Sequence, residues 1–353
     1  MTSRTDTATP GRVVIRPPNW LGDAVLALPA MAAVRRHFAA SHVTIAATPA
    51  VAALFREDTS AQPDRVLDLP AGTRDAVALL EGGRFDLGVL FPNSFRSAWQ
   101  FHRAGIRQRW GYPTSGRGLL LTRRARKTRP SGVRHQSDYY RDLVRGLEVE
   151  CESSDAPVVA PKPPSVERAN ALLAQVGIAA GESFVCLAPG AAYGSAKQWP
   201  PDRMAELAAR LVRTRGLTCV LVGASHDRDA ARAIESWLRS NARDASDRVV
   251  NLVGRTSLGA LIGVTARSAA FVSNDSGAMH LAAALARPVI AIFGPTDERA
   301  THPVGDHTVI AEPVFCRPCM LRDCPIDHRC MKRISTDRVY AAIEAHLDGT
   351  AAT

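Results

Sequence analysis

Short runs of β-branched and other apolar residues alternate with amphipathic stretches along most of the 353-residue chain. The apolar runs lie at 12–16, 43–47, 65–69 and 86–91 in the first half, and at 184–189, 217–223, 248–254, 269–275 and 288–294 in the second. Apolar residues at helical spacing occupy 24–39, 202–215, 227–240 and 278–286. Uninterrupted apolar strands that alternate with helices predict parallel sheets covered on both faces, which is an α/β fold.

The alternation is interrupted between residues 151 and 165, where CESSDAPVVAPKPPS contains four prolines and no helical period. The chain also exceeds the roughly 250–300 residues that a single core usually serves. We therefore predict two Rossmann-like domains that face each other across a cleft, at 1–165 and 166–353, with a helix at 166–177. The sequence leaves open whether the last helix of the chain packs against the first domain or against the second. Ligands of open α/β sheets bind beyond the carboxyl ends of the strands, so motifs just after strands matter most.

The composition is that of a globular protein without a membrane span. Hydrophobic residues make up 46% of the chain, which is enough to offset chain entropy and excludes intrinsic disorder. No apolar run approaches the ~20 residues that cross a bilayer. The N-terminal TSRTDTATPGR lacks the apolar core of a signal peptide. We expect a cytoplasmic protein whose seven cysteines are thiols or metal ligands rather than a disulfide framework.

The net charge of +10 comes from one stretch of the chain. Residues 96–145 hold 13 of the 44 Lys and Arg but only 2 of the 34 Asp and Glu, which leaves 31 basic and 32 acidic residues elsewhere. Such a concentration indicates a polyanionic partner: nucleic acid, a phosphorylated glycolipid at a membrane surface, or a nucleotide. The alternative is a solvated, arginine-rich surface of the kind that a high-GC coding sequence produces.

The first predicted strand leads into RPPNWLGDAVLALPAM, which places Asp23 in the first turn of the next helix. An aspartate in that position commonly caps backbone amides and interacts favourably with the helix dipole. At the cleft between the domains, the same carboxylate could accept a proton from a sugar hydroxyl. The residues alone leave both roles open.

The first strand of the second domain leads into APGAAYGSAKQWP. Gly190 and Gly194 allow close turns, and Lys197 precedes a helix expected to begin at Pro200. Backbone amides and an ammonium group beside a helix N-terminus suit a diphosphate, because together they neutralise the charge of a leaving group. The segment is not a P-loop, since GxxxxGK[ST] is absent. The alternative is a lysine on a surface loop.

A third motif, VSNDSGAMHLAAAL, spans residues 272–285 and ends a strand at Asp275. Ser276 is the expected N-cap of the following small-residue helix, and Gly277 permits the turn. Amides of this turn would face an anion, with His280 one turn into the helix. In the alternative, Asp275 is only a cap and His280 only packs against the sheet. The density of polar groups at one strand end favours a ligand site.

Four cysteines fall within fifteen residues in CRPCMLRDCPIDHRC, at Cys316, Cys319, Cys324 and Cys330, with His328 among them. Cys-x-x-Cys is typical of zinc and iron–sulfur sites. The second pair is Cys-x₅-Cys, however, which does not fit a zinc ribbon. We expect reduced cysteines that pack as small hydrophobic residues, and no metal.

Together these segments resemble the ADP-heptose:lipopolysaccharide heptosyltransferase family. The resemblance rests on NWLGDAVLALPA, PGAAYGSAKQWP and NDSGAMHLAAAL followed by PVIAIFGPT, in the family's order along nearly the whole chain. The cysteine-rich segment looks like the tail of its heptosyltransferase II branch. The family implies a GT-B glycosyltransferase with an acceptor-binding N-terminal domain and a nucleotide-sugar-binding C-terminal domain. It also implies a single displacement that inverts the anomeric carbon, without a metal or other cofactor.

The resemblance assigns roles to the motif residues. Asp23 would be the base that deprotonates the acceptor hydroxyl. The donor would be bound by Lys197 at the diphosphate, Asp275 at the heptose, Ser276 and Gly277 at the phosphates, with His280 supporting that turn. One position departs from the pattern, since Ser225 in GASHD stands where some relatives carry an acidic residue near the nucleoside. That contact stays unassigned.

The resemblance also implies the reaction and the partners. A heptose would pass from ADP-L-glycero-β-D-manno-heptose to the heptose of the lipopolysaccharide inner core, at the cytoplasmic face of the inner membrane. The acceptor carries Kdo carboxylates and phosphates on lipid A, and arginine forks and anionic-membrane attraction suit both. The residues expected to bind the acceptor are Arg117, Arg123, Arg124, Arg126, Lys127 and Arg129.

Two other interpretations remain open. One is another GT-B enzyme, either heptosyltransferase I or an enzyme with a different nucleotide-sugar donor. The other is a polyanion-binding protein without catalysis. Nucleic acid is not an expected partner, because no recognised nucleic-acid fold or interleaved aromatic platform supports it.

Overall fold

The structure, a computed structural model, describes residues 9–127 and 132–349. The chain divides into two compact units between Pro157 and Val158. The predicted boundary, between 165 and 166, lies later because the prolines at 163 and 164 belong to a helix rather than to the linker. Proline is favoured in the first turn of a helix, where its missing N–H would have no intrahelical partner.

The strands of the first unit are β1 (Arg12–Arg16), β2 (His42–Ala47), β3 (Asp58–Thr59), β4 (Arg65–Asp68), β5 (Leu87–Leu90), β6 (Gln108–Gly111) and β7 (Arg123–Arg124). Its α-helices are α1 (Leu21–Leu26), α2 (Leu28–His37), α3 (Pro49–Ala52), α4 (Thr73–Gly82), α5 (Phe95–Arg103) and α6 (Gln136–Arg145). Short 3₁₀ turns lie at Leu54–Arg56 and Arg117–Leu120.

One parallel sheet organises this unit, with the strand order β4-β2-β1-β5-β6-β7. Val13 of β1 pairs with Val43 on one side and with Leu87 on the other. The order of the strands reverses between β1 and β5. The crevice beyond their carboxyl ends is therefore the topological switch point, where sheets of this kind bind ligands.

The strands of the second unit are β8 (Val159–Ala160), β9 (Phe184–Ala188), β10 (Thr218–Leu221), β11 (Val249–Asn251), β12 (Ala270–Asn274), β13 (Val289–Phe293) and β14 (His307–Ala311). Its α-helices are α7 (Pro163–Gln175), α8 (Pro201–Arg215), α9 (Arg228–Asn241), α10 (Arg243–Ser246), α11 (Leu258–Arg267), α12 (Gly277–Ala284), α13 (Glu298–Thr301), α14 (Arg329–Lys332) and α15 (Thr336–Leu347). Short 3₁₀ turns lie at Ser195–Lys197 and Ser225–Asp227.

The second unit repeats the architecture of the first, with a parallel sheet in the order β11-β10-β9-β12-β13-β14. Val185 of β9 pairs with Cys219 and with Ala270. The switch point of this sheet lies between β9 and β12. These are the strands that precede the two motifs predicted to bind a nucleotide sugar.

The last helix, α15, packs within the second unit. Val339, Tyr340 and Ile343 are buried and belong to that unit's hydrophobic core. The guanidinium of Arg210 in α8 lies 3.8 Å from the centroid of the Tyr340 ring. The packing that the sequence left open therefore places this helix on its own unit.

The apolar runs predicted nine of the described strands to within one to three residues, but five strands were missed. The two-residue strands β3, β7 and β8 are too short to give a hydrophobic pattern, and β6 and β14, with the sequences QRWG and HTVIA, are partly exposed. Strands β7 and β14 lie at sheet edges. An edge strand needs less apolar covering than a central one, so its hydrophobic signal is weaker.

Helix length and cysteine environment limit what the fold can do. Among the residues that the structure describes, no helix combines the length and the apolar character that a membrane span requires.

All seven cysteines are free thiols. Cys186 and Cys219 lie on central strands, and burial raises the pKa of each to about 12.

Candidate active site

Asp23 lies in the first turn of α1, just beyond the carboxyl end of β1. Its Oδ1 accepts hydrogen bonds from the Tyr140 hydroxyl at 2.9 Å and from Nε2 of Gln136 at 3.1 Å. Both partners come from α6, so the carboxylate is oriented by a neighbouring helix. The N-cap of α1 is Trp20, which makes no side-chain capping bond.

The electrostatics around Asp23 fix the direction of its hydrogen bond to Tyr140. Burial first, and the nearby charge of Asp23 second, raise the pKa of Tyr140 well above its usual value. A phenol held in its neutral form donates its proton to the carboxylate. Asp23 is therefore a half-buried hydrogen-bond acceptor at the edge of the sheet where ligands bind.

Lys197 and Asp275, predicted from separate motifs, meet beyond the carboxyl ends of β9 and β12. Nζ of Lys197 lies 2.5 Å from Oδ2 of Asp275. The hydroxyl of Thr296, which follows β13, donates to the same oxygen at 2.6 Å. The loops after three adjacent strands thus contribute a cation, a carboxylate and a hydroxyl to one cluster.

Asn274 holds the loop after β9 against the end of β12, and sequence reasoning missed it. Its side chain is fully buried. Its Nδ2 donates to the carbonyls of Pro189 at 2.8 Å and Gly190 at 3.2 Å, and its Oδ1 accepts from the amide of Trp199 at 3.0 Å. The sequence feature that could have identified Asn274 is its position at a strand end directly before Asp275. An amide side chain there can bind both backbone donors and backbone acceptors of a neighbouring loop.

The turn after Asp275 differs in one respect from the prediction. Ser276 is the N-cap of α12, but its side chain makes no capping bond and its hydroxyl pairs with that of Ser273 at 3.0 Å. Gly277 is the first helical residue, and His280 is buried inside the helix. A helix start without a side-chain cap can direct its backbone amides at an anion.

An acidic residue, Asp227, lies near Ser225, the position for which the sequence assigned no contact to the nucleoside. Asp227, two residues after Ser225, accepts a hydrogen bond from the amide of Ala224 at 2.9 Å. A Cβ atom on Gly190 would lie only 2.0 Å from its carboxylate carbon, and one on Gly223 would also meet this side chain. Burial raises the pKa of Asp227. The short turn of Ser225–Asp227 returns this carboxylate to the strand ends, which sequence spacing could not show.

The cysteine-rich segment packs directly on the loop that carries Lys197. The amide of Ala196 donates to the carbonyl of Arg322 at 2.9 Å, and Nε2 of His328 lies 2.7 Å from the carbonyl of Ala196. The hydroxyl of Ser195 donates to Asp323 at 2.7 Å. This segment therefore positions the lysine loop, a role that its cysteine spacing did not indicate.

The four cysteines of this segment differ in exposure. Cys330 is buried in the core, whereas Cys316, Cys319 and Cys324 are half-buried. Burial is the main cause that raises the pKa of Cys330. In residues 9–127 and 132–349, no group of three or more His, Cys, Asp or Glu side chains is arranged to hold a metal ion.

The prediction that Arg117 contacts an acceptor at the surface is wrong. Its side chain is fully buried, with Nε donating to the carbonyl of Tyr112 at 2.8 Å and Nη1 to the carbonyl of Pro92. Burial lowers its pKa to about 10. The guanidinium joins backbone carbonyls around β6 and α5, so it stabilises the unit from inside.

The other predicted acceptor residues differ in availability. Arg124, Arg126 and Lys127 are exposed. Arg123 is half-buried, pairs with Glu148 and lies 4.6 Å from the centroid of the Trp110 ring. Arg129 lies outside the described residues.

Comparison with known proteins identifies the family. The family model described as glycosyltransferase family 9 (heptosyltransferase) matches residues 76–329, which is more than two thirds of the chain. The chain belongs to this family. It is therefore a glycosyltransferase.

Two relatives and one solved structure are also similar to this chain, and two of these three matches cover nearly all of it. Lipooligosaccharide heptosyltransferase 2 of Haemophilus influenzae is 32% identical over 246 residues, which cover 68% of this chain and 69% of the relative. The protein of the same name from Campylobacter jejuni is 26% identical over 94% of this chain and 98% of its own. The structure of E. coli ADP-heptose lps heptosyltransferase II covers 97% of this chain and 100% of its own, with a TM-score of 0.82 and 24% identity. The predicted GT-B fold class is confirmed.

Proposed function

We propose that this family 9 glycosyltransferase moves a heptose from ADP-L-glycero-β-D-manno-heptose to the heptose of a lipopolysaccharide inner core. The similarity to a lipooligosaccharide heptosyltransferase 2 over nearly the whole chain supports heptose transfer and the acceptor class, and the similarity to the E. coli ADP-heptose lps heptosyltransferase II supports the donor. The observation that carries the chemistry is the cluster of Lys197, Asp275 and Thr296 at the switch point of the second unit. A Rossmann-like sheet binds nucleotides at that place.

The donor is bound by the second unit. Lys197 is the cation for the diphosphate, and the uncapped start of α12 at Ser276 and Gly277 supplies amides for the phosphate oxygens. Asp275 accepts hydrogen bonds from heptose hydroxyls, and buried His280 supports the turn. As the donor breaks, charge accumulates on the ADP oxygen, and a cation with fixed amides stabilises it without a metal.

Asp23 is the general base. Tyr140 and Gln136 orient its carboxylate, which accepts the proton of the acceptor hydroxyl. The hydroxyl oxygen attacks the anomeric carbon from the face opposite the diphosphate and forms the new glycosidic bond. The bond from the anomeric carbon to the β-phosphate oxygen breaks, its electron pair leaves with ADP, and the hydroxyl proton passes to Asp23. This single displacement inverts the anomeric carbon.

We further propose that the enzyme works at the cytoplasmic face of the inner membrane as a peripheral protein. Arg124, Arg126 and Lys127 are exposed, and Leu119, on the preceding 3₁₀ turn, has 91% of its surface accessible. Each basic residue near an anionic membrane contributes about 1 kcal/mol to binding, and an exposed leucine can enter the interface. The membrane also holds the lipid A anchor of the acceptor.

A transfer assay read by mass spectrometry tests the reaction. The assay compares ADP-heptose with UDP- and GDP-sugars as donors. It also compares a core acceptor that ends in one heptose with a core acceptor that has no heptose. We expect a heptose mass increment only from ADP-heptose and only on the heptose-terminated acceptor. Transfer to the heptose-free core would indicate a heptosyltransferase I activity instead. Preference for a non-adenosine donor would overturn the proposal.

Vesicle flotation tests the membrane association separately. The wild type should float with vesicles that contain phosphatidylglycerol and remain unbound with phosphatidylcholine alone, and high salt should release it. A triple change to Gln at Arg124, Arg126 and Lys127 should abolish flotation. The control removes three exposed charges from the second unit, at Arg168, Arg239 and Arg243. Equal binding by the two triple variants would contradict this assignment.

A further inference from the structure

We propose that a pocket in the first unit binds an oxyanion of the acceptor, a carboxylate or a phosphate, between the guanidinium groups of Arg16 and Arg96. The pocket has a volume of about 230 Å³ and lies beyond the carboxyl ends of β1 and β5, at the switch point of the sheet. The proposal rests on the proposed glycolipid acceptor but uses none of the residues assigned to it above.

Arg16 places a buried positive charge in this pocket. It is the last residue of β1, and only 6% of its surface is exposed. Its Nη2 donates to Oδ1 of Asn19 at 2.8 Å and its Nη1 to the carbonyl of Ala46 at 3.2 Å, while Nε has no hydrogen-bond partner. Over the described ranges of the chain, no carboxylate forms an ion pair with it. Burial of an uncompensated charge is unfavourable, so the site favours an anion.

Arg96 brings a second guanidinium to the same pocket. It lies in the first turn of α5, where its Nε donates to the hydroxyl of Thr73 at 3.0 Å and its Nη2 to the carbonyl of Ala71. Burial first, and the charge of Arg96 second, lower the pKa of Arg16 to about 10. Both guanidinium groups line this pocket and repel each other, and an anion between them converts the repulsion into two attractions.

The rest of the pocket is also suited to an anion. The nine-residue helix α5 begins here, with Ser94 as its N-cap, so its positive dipole end faces the pocket. No aspartate or glutamate occurs among the described residues that line it. Asn19, Thr48 and Gln100 add neutral polar groups that can bind sugar hydroxyls. The planar pair of N–H donors of a guanidinium matches two oxygens of a carboxylate or of a phosphate, so its geometry suits either group.

Arg16 and Arg96 form no ion pair with any acidic side chain in the described part of the chain, whereas some other arginines of the same unit do. Arg36 pairs with Asp155 at 2.7 Å, and Arg56 pairs with Asp68 at 2.6 Å. Arg16 lies three residues before Asn19, where the NWLGD loop that carries the proposed base begins. An acceptor anion held there would fix the glycolipid beside that loop. The pocket therefore acts on acceptor binding and not on the donor.

Steady-state kinetics with Arg96→Gln tests the pocket. Because Arg96 is exposed, the variant should fold normally. We expect the KM for the acceptor to rise about tenfold or more, since a charge-assisted contact is lost. The kcat and the KM for ADP-heptose should change less than about threefold. The matched control is Arg103→Gln, an exposed arginine on the same helix outside the pocket, which should behave as the wild type.

A second arm identifies the ligand group. Acceptors are prepared with the sugar carboxylates amidated or with the phosphates removed. The difference between wild type and Arg96→Gln should disappear with whichever acceptor lacks the bound anion and persist with the other. Arg16→Lys, which keeps the charge but loses the fork, should show the same selective loss. An Arg96→Gln variant with an unchanged acceptor KM, or with an increased donor KM instead, would overturn the proposal.

A binding measurement separates this pocket from the proposed reaction. Inorganic phosphate should raise the thermal midpoint of the wild type and of Arg103→Gln more than that of Arg96→Gln, and the comparison holds net charge equal. If no transfer occurs but this difference appears, the pocket stands and the proposed function fails. If transfer occurs but Arg96→Gln and Arg103→Gln show the same phosphate stabilisation and the same acceptor KM, the pocket proposal is wrong and the proposed function stands.

Discussion

The ammonium nitrogen of Lys197 lies 2.5 Å from Oδ2 of Asp275, although 78 residues separate the two in the chain. The pair is largely buried, with 12% and 6% of the respective side chains exposed. Thr296 donates to the same carboxylate oxygen. A pair of this kind stabilises the fold only while both charges are present, so the cluster couples donor binding to local stability.

Removal of either charge of this pair should weaken both properties. We expect Lys197→Met to lower ADP affinity by about 100-fold, because a charge-assisted contact to phosphate is lost. The same change should reduce the free energy of unfolding by about 3 kcal/mol, since it leaves a buried carboxylate without its cation. Calorimetry with ADP and urea unfolding measure the two effects.

A double-mutant cycle provides the control for this pair. Asp275→Asn should lose stability but keep most ADP affinity, because we assign Asp275 to the sugar. Lys197→Met with Asp275→Asn should be more stable than the sum of the single changes predicts, by about 1–3 kcal/mol. Strict additivity would show that the two groups do not interact in solution.

Asp23→Asn should remove turnover and leave donor binding intact. An amide cannot accept the proton from the acceptor hydroxyl, so kcat should fall by about 10²–10⁴. Tyr140→Phe keeps the carboxylate and its bond from Gln136, so kcat should fall only about tenfold through lost orientation. Single-turnover assays and ADP calorimetry make the comparison. A fall in ADP affinity in Asp23→Asn would place this carboxylate at the donor instead.

The raised pKa of Tyr140 predicts how stability varies at alkaline pH. The unfolded chain loses the phenolic proton near pH 10, whereas the folded protein holds it to a higher pH. Stability contributed by this group is therefore complete below pH 10 and decreases as pH rises towards the folded pKa. The stability difference between wild type and Tyr140→Phe should narrow between pH 9 and 11 in urea titrations. A difference that is constant with pH would contradict the assignment.

Thiol reactivity should divide the cysteines into two classes. Because the pKa values of Cys186 and Cys219 are raised to about 12, only about one in 10⁴ of these side chains is a thiolate at pH 8. Both side chains are also buried, which limits access of the reagent. Iodoacetamide at pH 8 should label Cys316, Cys319 and Cys324 first and leave the two strand cysteines unmodified until urea unfolds the chain. Peptide mass spectrometry reads the order, and early labelling of Cys186 would show that the sheet opens locally.

Gly194→Ala should separate the cysteine-rich segment from the Lys197 loop. A Cβ at this position would lie 2.3 Å from the carbonyl oxygen of Arg322, so one of the two segments must move. We expect a loss of about 1–3 kcal/mol in unfolding free energy and a lower ADP affinity. Gly82→Ala is the control: nothing lies within 4 Å of its Cβ and it ends helix α4. The control should be neutral or slightly stabilising.

Local patterns predicted much of the sheet and part of the site. The runs that became β1, β9 and β12 are uninterrupted because both faces of a central strand are buried, and that signal is local. Asp23, Lys197 and Asp275 could be selected because they follow such strands. Edge strands β7 and β14, with one uncovered side, were missed for the same physical reason.

The boundary of the units and the role of Arg117 required the tertiary structure. Prolines at 163 and 164 have the composition of a linker, but the first turn of a helix accepts them. Arg117 belongs to the basic segment by sequence, yet its guanidinium is buried on backbone carbonyls. Exposure depends on how the chain folds around a residue, and the residue type carries no record of it.

The sequence by itself determined the α/β class and the family, because hydrophobic periodicity and short motifs are properties of neighbouring residues. Only the tertiary structure decided which polar groups meet. It joined Lys197 to Asp275 and Thr296, and Asp23 to Tyr140, through strand and helix packing across many residues. It also left Arg16 buried beside Arg96 without an acidic partner in the described chain. Such contacts follow from strand order, which no local pattern specifies.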